Sequence, residues 1–92
     1  MSKTDYFEQA RLCFENEEYE QAKALFEKAA DKGNADAMFA LGTMYLEGKG
    51  VPKDIKMAKS WIIKAKHNNH PVAMFYWDIV KGLTQEEILS DG

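Results

Sequence analysis

The sequence predicts an all-α fold of stacked helical hairpins, and three observations predict it. Residues 21–39 repeat in residues 57–75: Ala22 falls on Ala58, Lys23 on Lys59, Lys28 on Lys64, Ala29 on Ala65, Ala37 on Ala73, Met38 on Met74 and Phe39 on Phe75. A repeat of this length is one helical hairpin, which buries its apolar face only by stacking on a neighbour. Apolar residues recur at three- and four-residue spacing along the chain. Gly33, Gly48, Gly50, Pro52 and Pro71 punctuate that pattern where turns are needed. The expected architecture is a solenoid of about two and a half helix-turn-helix repeats followed by a short C-terminal helix, within a single domain over 1–92.

The first helix is expected over about 4–16, with Thr4 as N-cap and Ala10, Cys13 and Phe14 among its apolar positions. A second runs over about 19–32, with Ala22, Leu25, Phe26 and Ala29 as its buried stripe. Gly33 supplies a left-handed turn, and Asn34 opens a third helix to about Leu46 with Asp36 in its first turn. Glu47 to Lys53 form the longest loop. Asp54 caps a fourth helix, 55–67, whose inner face reads Met57, Ala58, Trp61, Ile62 and Ala65. Asn68 and Asn69 replace Gly33 at its end, since Asn tolerates the left-handed conformation. Pro71 suits the first position of a fifth helix ending near Gly82, and Thr84 with Glu87 has capping-box spacing for a short helix through Leu89. Small residues mark the crossings, with Ala10 facing Ala22 and Gly42 facing Ala58.

Composition narrows the function classes. Ninety-two residues with 46% apolar and 29% charged side chains describe an ordinary globular chain, and no window approaches a membrane span. The start, Met-Ser-Lys-Thr-Asp-Tyr, lacks the apolar run of a signal peptide, and the single Cys13 cannot form an internal disulfide, so a cytoplasmic location is expected. The net charge of −3 divides as −3 over 1–34, +3 over 35–70 and −3 over 71–92. The basic middle (Lys49, Lys53, Lys56, Lys59, Lys64, Lys66) reads as a solvated outer face before it reads as an anion site.

The residues quoted from Ala35 to His67, namely Ala37, Leu41-Gly42-Thr43-Met44-Tyr45, Gly48-Lys49-Gly50-Val51, Asp54, Ala58, Trp61 and Lys64-Ala65, resemble a Sel-one-like repeat. That family is the longer-loop relative of the tetratricopeptide repeat. Residues 4–34 are similar to a plain tetratricopeptide unit through Tyr6, Ala10, Tyr19, Ala22, Phe26 and Ala29, with Gln9 and Cys13 departing from its pattern. The Sel-one-like unit is taken as 35–70. Residues 71–92 look like a half repeat and a C-terminal helix, with Asp78 where a small residue is usual. The resemblance implies a right-handed superhelix that binds proteins or peptides, with the first helix of each hairpin lining the concave side.

Laying those three helices in register gives the rows Phe7, Phe39, Phe75, then Arg11, Thr43, Ile79, then Phe14, Leu46, Gly82. A row of phenylalanines on a surface marks a contact. Three explanations remain open: a partner segment fills this groove, the chain's own Ile88 and Leu89 cover it, or it is core placed in the wrong register. The partner-binding residues are therefore Phe7, Arg11, Phe14, Phe39, Thr43, Leu46, Phe75 and Ile79. No Ser/His/Asp arrangement, phosphate-binding glycine loop or spaced acid pair is present, so no catalytic residue and no cofactor is assigned. His67 and His70 straddle a helix end without enough companions for a four-ligand zinc site, so they are read as capping and solvent-exposed, and no metal is assigned. Cys13 reads as a buried thiol and Trp61 as core, while Ile63 falls on the outer face. The expected function is a non-enzymatic adaptor for a protein or peptide partner. The alternatives are a small homo-oligomer or toxin-neutralising protein, and an RNA-binding helical repeat. Nucleic acid and membrane are not the expected partners.

Overall fold

The structure, a computed structural model, describes residues 5–83. It consists of five helices, α1 (Tyr6–Glu15), α2 (Tyr19–Asp31), α3 (Ala35–Glu47), α4 (Ile55–His67) and α5 (Pro71–Val80), with no strand among the described residues. Consecutive helices pack on one another, α1 on α2, α2 on α3, α3 on α4 and α4 on α5, giving an elongated stack of 49 × 27 × 16 Å. This is the helical-repeat arrangement that the period predicts.

Short side chains let the helices approach. Ala10, Ala22, Ala29, Ala30, Ala37, Ala58, Ala65 and Ala73 are all buried, and larger residues such as Phe26, Leu41, Met44, Ile62 and Val80 fill the space between them. Gly42 is required by its neighbours: a Cβ there would lie 2.5 Å from Ile62 Cγ1 and 3.2 Å from the Ala58 carbonyl oxygen. The expected crossing of Gly42 with Ala58 is present, and Ile62 is its tightest part. On α4 the inner face differs by one residue from expectation. Met57 is exposed and Ile55 is buried in its place.

All four inter-helix turns close in the same way. The amides of Glu18, Asn34, Lys49 and His70 each donate to a carbonyl five residues back, on Cys13, Ala29, Met44 and Ala65 respectively. The residue before each of these amides has positive φ: Glu17 (62°), Gly33 (90°), Gly48 (72°) and Asn69 (67°). These are the six-to-one bonds of left-handed helix terminators. Gly33, Gly48 and Asn69 are the residue types such a turn favours, whereas Glu17 has no sequence signal for it.

At the helix starts, Asn34, Asp54 and His70 accept hydrogen bonds from the amides of Ala37, Met57 and Ala73, at 2.9, 3.1 and 3.1 Å. The expected cap at Thr4 is corrected: Asp5 caps α1, accepting from the Glu8 amide at 3.1 Å, so the helix begins at Tyr6. Helix α5 ends at Val80, before the Gly82 expected, and the amide of Lys81 closes it on Trp77 O at 2.8 Å. The helix expected from Thr84 to Leu89 lies outside the described residues.

The long α3–α4 loop reaches back onto the first hairpin. Gly50, at φ 75°, lies so close to the Tyr19 backbone and Cβ that a side chain on it would overlap them. Lys49 Nζ sits over the rings of Phe14 and Tyr19, 6.0 and 5.9 Å from their centroids, the distance of a cation–π contact. The amide of Asp54 ties the loop's end to Tyr45 O at 3.0 Å.

Candidate partner-binding surface

The eight residues assigned from the sequence lie on α1, α3 and α5, the first helix of each hairpin, but their side chains have different surroundings. Phe7 is half-buried, its ring 5.8 Å from that of Phe26 on α2. Phe14 packs on Phe26 and Tyr19 at 6.4 and 5.0 Å, with Lys49 above it. Arg11 between them is exposed and paired with Glu8 and, at 2.7 Å, with Glu15. Glu8 first and Glu15 second raise its pKa further, so its charge is permanent.

On α3, Phe39 is half-buried. It stacks on the His70 ring with centroids 4.9 Å and planes 21° apart, and meets Tyr76 edge-on at 5.4 Å. The Thr43 hydroxyl donates to Ala40 O at 2.8 Å, and Leu46 packs half-buried against the core. On α5 the corresponding side chains are open to solvent: Phe75 is 69% exposed and Ile79 55%. Val72 and Met74, on the same helix, are about half exposed and were not anticipated. Phe7 and Phe14 are thus brought together through Phe26, Phe75 and Ile79 lie one turn apart, and no ring contact joins Phe39 to Phe7 or Phe75 among the described residues.

His70, expected to be capping and solvent-exposed, caps α5 but is buried. Its Nδ1 accepts the Ala73 amide, so the proton resides on Nε2, which donates to Asp36 Oδ1 at 2.8 Å. Neither ring nitrogen is left for a metal. His67 closes α4 at the surface, and no group of three or more His, Cys, Asp or Glu side chains is gathered among the described residues. At the half-buried Cys13, desolvation first and the nearby Glu18 second push the thiol pKa up, which keeps it protonated. Trp61 is half-buried against the core with Lys64 Nζ 4.7 Å above its ring. No described helix is long and apolar enough to cross a membrane.

A stack of helical hairpins that carries exposed apolar side chains on α5 defines a repeat scaffold. The sequence matches the Sel1 repeat over residues 12–34 and again over 35–70, and the chain belongs to the Sel1 repeat family. Sel1 repeats generally mediate protein–protein interaction and are generally non-enzymatic. The chain is also 40% identical over 55 residues to an exopolysaccharide production negative regulator of Rhizobium meliloti (strain 1021). That match covers 59% of this chain and 20% of the regulator, so the chain spans about a fifth of that protein's length.

Proposed function

We propose that this chain is a non-enzymatic adaptor that binds a protein or peptide partner along the surface formed by Phe7, Arg11, Phe14, Phe39, Thr43, Leu46, Phe75 and Ile79. The exposure of Phe75 and Ile79 carries the reading. They project from one side of α5 while Ala73 and Val80 anchor the other side in the core. Exposed large apolar groups on a rigid helix are the usual anchors of a protein contact. The half-buried Phe7, Phe14, Phe39 and Leu46 serve as a firm floor beside them, and Arg11 with its two glutamates supplies the charged rim that selects orientation. The lone thiol of Cys13 suits work in the cytoplasm.

The test is affinity capture from native lysate with the parent chain and with the Phe75→Ala/Ile79→Ala double variant. The partner is expected to be lost from the variant while its melting temperature stays near that of the parent. Retention of the same partner at the same affinity overturns the assignment.

A further inference from the structure

A pocket of about 510 Å³ opens at the start of α1, lined by Asp5, Tyr6, Phe7, Ala29, Lys32, Gly33 and Asn34. The second hairpin holds the same place in a closed form. Gly33 and Asn69 are both left-handed, and Asn34 and His70 have the same backbone conformation (φ −76°, ψ 108° and φ −75°, ψ 116°). Both accept the amide three residues on, and their own amides bond to the matched carbonyls of Ala29 and Ala65. Asn34 and His70 are therefore structural equivalents, as are Phe7 and Phe39 on the preceding helices.

In the second hairpin the imidazole of His70 lies flat on Phe39 and donates to Asp36, and Asn68 Nδ2 closes on Met38 Sδ at 3.5 Å. In the first hairpin the equivalent of His70 is the shorter Asn34. Its side-chain oxygen caps α3, and the space beside Phe7 is the pocket that both residues line. Helix α1 adds to the opening. It ends at Glu15, matching the end of α3 at Glu47, but begins three residues later in that register.

We propose that this pocket is a side-chain socket that receives a histidine of the protein partner, its ring stacked on Phe7 and its N–H donated to Asp5. The second hairpin supplies the precedent for the stack, a histidine ring buried on a phenylalanine. Its aspartate, Asp36, corresponds in sequence to Thr4, and the carboxylate that lines this pocket is that of the next residue, Asp5. The socket's own charged groups, Asp5 and Lys32, fit a neutral imidazole that presents a donor to the carboxylate. A planar ring on a phenylalanine face adds attraction beyond its buried area. The proposal rests on the partner-binding reading above, but it concerns a different edge of the stack from Phe75 and Ile79. The two are separable because the socket is probed without the partner.

The experiment is a titration of the full chain with N-acetyl-histidine methylamide, followed by amide chemical shifts, with N-acetyl-leucine methylamide as control. Saturable shifts confined to Tyr6, Phe7, Lys32 and Gly33 are expected at millimolar probe, with the leucine amide at least tenfold weaker. The Asn34→His variant retains the cap and places a ring over Phe7, so it should abolish those shifts and raise the melting temperature. Conversely, His70→Asn should open a second site that shifts Phe39. The proposal is overturned by absent shifts, by equal response to the leucine amide, or by undiminished binding in Asn34→His. It is equally overturned by contacts from residues 1–4 to the Phe7 ring in the free chain, or by concentration-dependent self-association at these amides, since either identifies another occupant.

Discussion

Glu17 and Gly50 both hold left-handed backbone, and substitution should act on them in opposite directions. A residue with a Cβ at φ 62° is strained by about 1 kcal/mol relative to glycine, so Glu17→Gly should stabilise the chain by about that amount. Gly50→Ala adds the same strain and an overlap with Tyr19, and should destabilise by about 2 kcal/mol. Gly42→Leu forces Ile62 and the Ala58 carbonyl aside and should cost about 3 kcal/mol. Urea denaturation of the three variants checks all these signs, and a destabilised Glu17→Gly would refute the strain argument. The turns at Gly33, Gly48 and Asn69 were legible because those residue types favour positive φ. Glu17 was not, because the length of the turn imposes its conformation and its side chain does not encourage it. Cys13 adds a chemical expectation: with its pKa raised, less thiolate is present at pH 8 than on the unfolded chain, so alkylation by iodoacetamide should be slower when the protein is folded.

At the scale of elements, the leading helices of the first two hairpins, α1 and α3, differ from α5 in what covers their equivalent aromatic residues. Phe39→Ala removes a ring packed on His70 and Tyr76 and should cost about 3 kcal/mol, whereas Phe75→Ala should stay within about 0.5 kcal/mol of the parent. Thermal melts of the pair measure the contrast, and equal losses would show that Phe75 is covered. His70→Ala removes a helix cap, a ring stack and the Asp36 bond together, and should cost about 2 kcal/mol. Helix order and most caps followed from periodicity and from Asn34, Asp54 and Pro71, all of which act locally. The surroundings of the assigned residues did not follow. Register places Phe7, Phe39 and Phe75 at equivalent positions but does not show that Phe26 and His70 lie against the first two. His70 in particular reads as a surface residue until the chain brings Phe39 and Asp36 around it.

The molecule as a whole is held by contacts between successive helices, and a repeat stack of this kind is as cooperative as its inter-repeat interfaces allow. The fold was legible because the thirty-six-residue repeat writes one junction between hairpins twice, as α2–α3 and again as α4–α5. The exception is the α3–α4 loop, whose reach across to Tyr19 and Phe14 leaves no periodic trace. This loop bolts the second hairpin to the turn of the first, outside the helix-to-helix packing. Amide hydrogens of α1–α2 and α3–α4 should therefore exchange with solvent through one shared opening. Loosening the loop with Gly50→Ala should split that event in two, with the first hairpin exchanging earlier while α4 keeps its protection.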